Sequence, residues 1–170
     1  MLTAGILITS DRGWLGKRRD EGGPIVRECI SRLPIDIIKY DVVPDDEEII
    51  SARLKEWVDE SGLDLIITSG GTGLSPRDVT PEATLSVIDR AIPGLTEAMR
   101  METMKIKLEA VLSRAVAGSR GKCLIINLPG SPKGLKECLD VILPTLPHAM
   151  EILGGKTFDG PHDGSMLNAH

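Results

Sequence analysis

Four stretches of the chain consist mainly of apolar and β-branched residues, and each has the length of a short β-strand. They are residues 2–10, 35–43, 65–67 and 123–128. Unbroken apolar runs are typical of strands in a parallel sheet that is covered on both faces. The run at 35–43 (IDIIKYDVV) carries more polar residues than the others, which places it nearer an edge of the predicted sheet.

Between these runs, apolar residues recur every three or four positions, which is the pattern of amphipathic helices. Helices are predicted at 24–33, 49–58, 95–106 and 135–153, with a short one from Thr80 to about residue 90 and a brief strand at 113–118. Alternating strands and helices predict an α/β fold. We expect one domain over 1–153 and a loosely ordered tail over 154–170, where apolar residues are sparse.

Composition and charge narrow the classes of partner. The 170 residues carry a net charge of -5 and only 2% aromatic residues. Nucleic-acid and anionic-membrane binders need a basic surface, and single-strand readers need stacking rings, so both classes are disfavoured. No apolar run reaches the ~18 residues of a membrane span, and no targeting segment is visible, which predicts a cytoplasmic protein. The three cysteines, far apart in sequence, are expected to be buried and reduced.

The stretch 64–84 (DLIITSGGTGLSPRDVTPEAT) carries the strongest sign of chemistry. A buried strand breaks into small residues, and a helix with Thr80 as its N-cap and Pro81 in its first turn follows. Glycines leave backbone N–H groups uncovered, and a helix N-terminus attracts anions. A phosphate-binding turn is therefore predicted, and it consists of Ser69, Gly70, Gly71, Thr72 and Gly73.

Asp45 and Asp78 each follow the carboxyl end of a predicted strand, where ligands bind in open α/β sheets. Two carboxylates beside a phosphate-binding backbone suit Mg²⁺, which takes oxygen ligands and shares them with substrate phosphates. The pair predicts phosphoryl or nucleotidyl transfer, in which positioning and charge stabilisation carry the rate.

Two further segments border this edge. Residues 11–23 form a predicted loop rich in glycine and charge, a candidate lid or substrate loop. Residues 129–134 (PGSPKG) repeat the order of strand, small-residue turn and helix, so the two turns are expected to face each other across a crevice.

Other chemistries find little support. The few histidines and cysteines offer neither a nucleophilic triad nor zinc-ligand spacing. The turn Gly70–Gly71–Thr72–Gly73 lacks the G-K-[ST] ending of a Walker A loop and does not match G-x-G-x-x-G, so a dinucleotide site remains a weak alternative.

The stretch TSGGTGLSPRDVTPEAT resembles the signature of the molybdopterin adenylyltransferase family, the Mog/MoaB-like group of molybdenum cofactor biosynthesis. Ser10, Asp11 and Arg12, followed by Gly16, Asp20, Gly23 and Pro24, resemble the first loop of that family. Pro44–Asp45 and residues 127–133 (NLPGSPK) resemble two more of its segments, so the likeness covers roughly residues 6–153.

The resemblance implies a three-layer α/β/α domain with a mostly parallel sheet, assembled as a homotrimer. It also implies Mg²⁺-dependent transfer of AMP from ATP to the terminal phosphate of molybdopterin, with release of pyrophosphate. Asp45 and Asp78 would be the catalytic, metal-linked acids. The substrate-binding residues implied by the family are Ser10, Asp11, Ser69, Gly70, Gly71, Thr72, Gly73, Ser75, Thr80, Pro129, Gly130, Ser131 and Lys133.

Two competing interpretations remain. The chain could bind or carry molybdopterin without catalysis and hand it to a molybdate-inserting enzyme, or it could be a general α/β nucleotide-binding module. Relatives that insert molybdate usually have extra domains, and this sequence has none, which favours the adenylyltransferase.

Overall fold

A computed structural model describes residues 1–156 and places a six-stranded sheet at the centre of the fold. The strands lie in the order β2-β1-β3-β6-β5-β4, and the pairs among β2, β1, β3 and β6 are parallel. At the far edge, β5 and β4 are antiparallel. The strands are β1 (Leu2–Thr9), β2 (Ile35–Val43), β3 (Leu65–Ser69), β4 (Arg90–Ala91), β5 (Ala117–Arg120) and β6 (Cys123–Leu128).

The burial of the strands follows their composition. Every residue of β3 and β6 is buried, as their apolar runs require. In β2, by contrast, Ile38 and Tyr40 are about half exposed, and this strand forms the outer edge next to β1. The prediction that 35–43 lies near an edge is confirmed.

Helices cover both faces of the sheet, which gives three layers. Successive residues of a strand point to opposite faces, so Ile67 packs in one core and Ile66 in the other. The helices are α1 (Asp11–Trp14), α2 (Gly22–Ile30), α3 (Glu47–Asp59), α4 (Thr80–Leu85), α5 (Pro93–Thr103), α6 (Pro132–Ile142) and α7 (Leu146–Leu153). The predicted three-layer α/β/α fold with a mostly parallel sheet is confirmed.

The core on the side of α3 and α4 is built around Trp57, which is 1% exposed. Its ring packs on β1 at Gly5, where a Cβ atom would lie 2.7 Å from both Trp57 Cε3 and Leu63 Cδ1. Only glycine leaves room for the indole at this position of the strand. On the other face, Val26, Leu139 and Met150 of three helices pack against the sheet.

Several predicted boundaries were wrong. The long helix at 135–153 is interrupted by a 3₁₀ turn, Leu143–Thr145, which contains Pro144 and precedes Pro147. Proline removes a backbone donor and clashes with the preceding turn, so one continuous helix cannot form here. The strand expected at 113–118 is β5, Ala117–Arg120, and α4 ends at Leu85, five residues short of the predicted end.

Three further predictions concern burial and the tail. Cys29, Cys123 and Cys138 are free and buried, as expected. Among residues 1–156, no helix is both long and apolar enough to cross a bilayer. The expected loose order of 154–170 falls largely outside the described residues.

Candidate functional site

The four parallel strands end at one edge of the sheet, and each end carries a predicted site residue. Ser10 follows β1, Asp45 follows β2, Gly70 follows β3 and Gly130 follows β6. Parallel strands share the direction of their carboxyl ends, so these four positions meet. They surround a cavity of about 330 Å³, called the polar cavity below.

The polar cavity gathers most of the predicted residues. Those that line it are Ser10, Asp45, Ser69, Gly70, Gly71, Asp78, Gly130 and Ser131. A second cavity of about 620 Å³, called the apolar cavity, adjoins it and is lined by Thr72, Gly73, Pro129, Ser131 and Lys133 together with Thr96, Met99 and Cys138. Ser131 lines both, so the two cavities meet at this residue.

The turn after β3 has a backbone that only glycine adopts readily. Gly70 and Gly71 have φ angles of 107° and 64°. A Cβ atom on Gly70 would collide with the carbonyl oxygen of Thr9, and one on Gly71 would collide with the hydroxyl of Thr80. In the described part of the chain, the N–H groups of Gly71, Thr72 and Gly73 meet no protein acceptor, which leaves them able to donate to an anion.

Thr80 supports this turn from behind. It is completely buried, and its hydroxyl lies 3.0 Å from that of Thr9 while its N–H donates to Gly71 O at 3.2 Å. The predicted role as helix N-cap was wrong, since Val79 precedes the helix and Thr80 is its first residue. The burial of Thr80 also places it outside both cavities, so it supports the turn and does not line the pocket.

Asp45 and Asp11 hold each other through main-chain hydrogen bonds. Asp11 N donates to Asp45 Oδ2 at 2.9 Å, and Asp45 N donates to Asp11 Oδ1 at 3.0 Å. The second oxygen of Asp45, Oδ1, is buried without a hydrogen-bond partner and lies 3.2 Å from where a Cβ of Gly71 would be. Burial raises the pKa of Asp45, and the charges of Asp11 and Asp78 add to that effect.

Asp78 reaches the polar cavity from the loop that follows the glycine turn. Its Oδ2 accepts a hydrogen bond from Ser75 N at 2.9 Å, and its own N–H donates to Ser75 O at 2.9 Å. Ser75 is exposed at the tip of this loop and lines neither cavity. The carboxylates of Asp45 and Asp78 are close enough for the second to raise the pKa of the first.

An ion pair joins the two loops over the site. Arg77 donates from Nε and Nη2 to the two oxygens of Asp11, both at 2.9 Å, in the two-pronged geometry that favours arginine. The hydrogen bond from Arg77 lowers the pKa of Asp11. Asp11 therefore serves as a bridge between loops and lines neither cavity.

The segment 11–23 departs from the predicted loop. Its first residues form α1, where Ser10 Oγ accepts from Gly13 N at 3.1 Å. Helix α2 begins at Gly22, before the predicted start, because Asp20 accepts from the N–H groups of Gly22 and Gly23. Carboxylate acceptance of free N–H groups stabilises a helix start.

Sequence reasoning missed two cations at the polar cavity. Arg18 and Arg19 line it between Asp20 and α1, and in the described chain neither side chain forms a hydrogen bond or ion pair. Both lie in the segment whose mixture of glycine and charge marked it as a substrate loop. The composition of the loop therefore indicated that it borders the site, but it could not single out Arg18 and Arg19.

Comparison with known proteins identifies the family of this chain. The model of the family described as "Probable molybdopterin binding domain" matches residues 5–148. The molybdopterin adenylyltransferase of Helicobacter pylori strain J99 is 40% identical over 153 residues, which covers 89% of this chain and 87% of that protein. The molybdenum cofactor synthesis protein cinnamon of Drosophila melanogaster is 41% identical over 154 residues, but the chain spans only 26% of its length.

Among solved structures, the molybdopterin biosynthesis enzyme MoaB of Thermus thermophilus superposes with a TM-score of 0.87 at 49% identity. The match covers 92% of this chain and 98% of that one. Fold, sequence and matched range thus confirm the family resemblance predicted from the sequence. The chain belongs to the molybdopterin-binding domain family of molybdenum cofactor biosynthesis, in the Mog/MoaB-like group.

Proposed function

We propose that this chain is a molybdopterin adenylyltransferase, which transfers AMP from ATP to the terminal phosphate of molybdopterin and releases pyrophosphate. The observation that carries the proposal is the polar cavity, where a glycine turn with free N–H groups lies beside two carboxylates, Asp45 and Asp78. Relatives bearing this name are 36–42% identical over most of the chain.

The chain's own groups suit the binding of phosphates. The N–H groups of Gly71, Thr72 and Gly73 offer donors fixed by the backbone, and Arg18 and Arg19 offer positive charge in the lining of the polar cavity. Fixed donors stabilise developing negative charge without reorganisation during the reaction. A terminal phosphate oxygen of molybdopterin would form a bond to the α-phosphorus of ATP, while the bond from that phosphorus to pyrophosphate breaks and its electrons leave with pyrophosphate.

The apolar cavity suits a heterocycle. Its lining includes Met99, Ile106 and Lys133, and it shares Ser131 with the lining of the polar cavity. Because the chain has few aromatic residues, a purine ring must be held by aliphatic surface and main-chain hydrogen bonds. We propose that this cavity accepts such a ring while the phosphates lie on the glycine turn.

Mg²⁺ fits the acids but needs ligands from outside the protein. Asp45 Oδ1 is a buried acceptor without a partner, which is the kind of atom that a cation satisfies. Among residues 1–156, no group of three or more His, Cys, Asp or Glu side chains could hold a metal ion alone. Asp45 and Asp78 would therefore hold the ion together with substrate phosphates, and when bound it would neutralise phosphate charge.

The proposal extends to assembly and location. Exposed apolar side chains cluster around the end of α5 and the 3₁₀ helix that follows, among them Met101, Ile106 and Leu108. A surface of this kind supports the expected homotrimer. ATP as the second substrate favours a cytoplasmic reaction, and the product would pass to a molybdate-inserting enzyme.

Turnover by the purified protein tests the proposal. With molybdopterin, ATP and Mg²⁺, the protein should release pyrophosphate. Asp78→Asn should lower release by on the order of 10³-fold or more, because it removes one of the two carboxylates that would hold Mg²⁺ against the substrate phosphates. Pterin binding should be retained. Asp89→Asn is the matched control, since Asp89 also accepts a main-chain N–H, from Gly121 at 2.7 Å, but lies at the opposite edge of the sheet.

The outcomes separate the enzyme from a carrier. Tight pterin binding without any pyrophosphate release by the unmodified protein would favour a non-catalytic molybdopterin-binding protein. Nucleotide binding without pterin binding would favour a general nucleotide-binding module. Equal loss in Asp78→Asn and Asp89→Asn would contradict the catalytic role of Asp78.

A further inference from the structure

Arg114, which the sequence did not single out, makes four polar contacts around the glycine turn and Asp78. It precedes β5 and reaches the segment between the glycine turn and α4. Its N–H donates to Thr72 O at 2.9 Å, its Nε donates to Gly73 O at 2.8 Å, and its Nη2 donates to Asp78 O at 2.6 Å. Its Nη1 forms an ion pair with Glu82. One side chain therefore joins the two ends of the Asp78 loop, residues 73–78.

The Asp78 loop has few other supports. Residues 74–77 are exposed, with Leu74 at 65%, so the hydrophobic core does not hold them. The hydrogen bonds between Ser75 and Asp78 close the loop internally, but they do not attach it to the rest of the fold. Arg77 attaches it to Asp11 on another loop, through a side chain that is 63% exposed. Among the described residues, the side-chain hydrogen bonds between this loop and the rest of the fold are therefore those of Arg77 with Asp11 and those of Arg114, and only Arg114 reaches the main chain of the loop.

The charge of Arg114 is balanced within the same cluster. Glu82 lies in the first turn of α4 and pairs with the guanidinium, so the cation is directed at main-chain carbonyls and one carboxylate. Burial raises the pKa of Glu82, but the hydrogen bond and charge of Arg114, with a main-chain hydrogen bond, together outweigh burial and lower the pKa. Glu82 thus remains ionised at neutral pH and holds the guanidinium in place.

We infer that Arg114 is the positioning residue that fixes the Asp78 carboxylate relative to the glycine turn, through the carbonyls of Gly73 and Asp78. Its consequence for catalysis rests on the proposed function, whereas its effect on the loop does not. Only arginine meets these demands, because its planar fork donates in several fixed directions and lysine offers a single compact charge.

Arg120 provides a matched control. Its Nε and Nη2 donate to Asp59 at 2.9 and 2.7 Å, and its Nη1 donates to Val87 O at 3.0 Å. Like Arg114, it therefore combines a carboxylate and a main-chain carbonyl. It pairs with Cys123, the first residue of β6, so it lies at the edge of the sheet opposite the site.

Amide hydrogen exchange tests the effect on the loop. Arg114→Lys should speed exchange of the three hydrogen-bonded amides of the loop, those of Ser75, Arg77 and Asp78, by about tenfold. Such a change is expected when a local unit loses about 1.4 kcal/mol of protection. The rest of the chain should exchange as in the unmodified protein. Arg120→Lys should leave residues 73–78 unchanged. Uniform acceleration over the whole chain in Arg114→Lys, or none at the loop, would overturn the inference.

Steady-state kinetics tests the consequence for catalysis. Arg114→Lys should lower kcat by about 10- to 100-fold, because small displacements of a reacting group cost that much, with KM for ATP changed far less. Arg120→Lys should keep kcat. A local change in exchange with an unchanged kcat would overturn the catalytic role. If the unmodified protein shows no turnover, the proposed function fails and the exchange result alone decides about the loop.

Glu82→Ala is a second variant, which tests the inference if the Arg114→Lys protein does not fold. This change releases the guanidinium from its ion pair but leaves the contacts with the carbonyls of Gly73 and Asp78 possible. It should raise exchange in residues 73–78 and lower kcat less than the loss expected for Arg114→Lys. Unchanged exchange and unchanged kcat in Glu82→Ala would overturn the inference.

Discussion

The turns that follow β3 and β6 look alike in sequence, but they have small residues for different physical reasons. The turn after β3 places Gly70 and Gly71 in the left-handed region, with protein atoms where their Cβ atoms would be. The turn after β6 needs no such backbone, since Ser131 is extended and caps α6 by accepting from Gly134 N. The first turn has small residues because its backbone conformation and crowded surroundings require glycine. The second has small residues because Ser131 caps the helix that follows.

The two turns also touch. Gly70 N donates to Leu128 O at 3.1 Å, and Ser69 Oγ donates to Pro129 O at 3.1 Å. A Cβ on Gly130 would lie 3.3 Å from Gly70 Cα. The sequence suggested two turns facing each other across a crevice, whereas the structure joins them into one continuous wall. Shared composition therefore does not imply a shared role.

The largest expected difference between the turns comes from alanine at their glycines. Gly71→Ala should cost about 2–3 kcal/mol of unfolding free energy and most of the turnover, because it adds backbone strain to a collision with Thr80. Gly130→Ala should cost less than about 1 kcal/mol, since only Gly70 must move by a few tenths of an ångström. Urea unfolding and pyrophosphate release measure both.

Gly62→Ala separates strain from collision. Gly62 has a φ of 65° but nothing within 4 Å of its Cβ position, and it lies away from the site, before β3. The Gly62→Ala protein should lose about 1 kcal/mol of unfolding free energy and no activity. If Gly71→Ala and Gly62→Ala had equal effects, the crowded wall around Gly71 would not matter.

A smaller effect is expected at the cap of α6. Ser131→Ala should lower the free energy of unfolding by about 1 kcal/mol, the usual value for a lost N-cap. Asp46 caps α3 in the same way, by accepting from Ile49 N at 3.0 Å, so Asp46→Ala should lose a similar amount. Only Ser131 lines the two cavities, so only Ser131→Ala should also raise KM. A raised KM in both variants would contradict this.

The smallest effect concerns the acid beside the first turn. The raised pKa of Asp45 means that its ionisation costs stability in the folded state. The cost is absent below the ordinary value of 3.8 and fully present above the raised pKa, so stability falls as pH rises through that window. Asp45→Asn should therefore unfold at a higher temperature at pH 7, by about a degree or two, since the carboxylate is partly exposed and screened.

The gain should vanish on acidification below the ordinary pKa. Asp46→Asn is the control, because it removes a neighbouring charge while asparagine still caps the helix. Thermal unfolding followed across pH checks both variants. An Asp45→Asn protein less stable than the unmodified one at pH 7 would show that the hydrogen bond that Asp11 N donates to the Asp45 carboxylate outweighs the cost of burying this carboxylate.

The sequence predicted the common edge of the site because simple rules apply there. Apolar runs mark parallel strands, and their carboxyl ends must meet, which brings Asp45, Gly70 and Ser131 to one cavity. Arg114 escaped prediction because it lies 36 positions from Asp78 and binds main-chain carbonyls, which any sequence has. Strand β4 has only two residues, Arg90–Ala91, too few to show a period.

The burial of the two tryptophans has a spectroscopic consequence. Trp57 lies sealed beneath Gly5 in the core, and Trp14, 58% exposed, ends the short helix whose Gly13 lines the polar cavity. The chain therefore carries two emitters in opposite surroundings, one in a dry interior and one in water beside the site. The blue-shifted emission of Trp57 therefore reports whether the core is intact. The red-shifted emission of Trp14 reports on the loop that a ligand would approach.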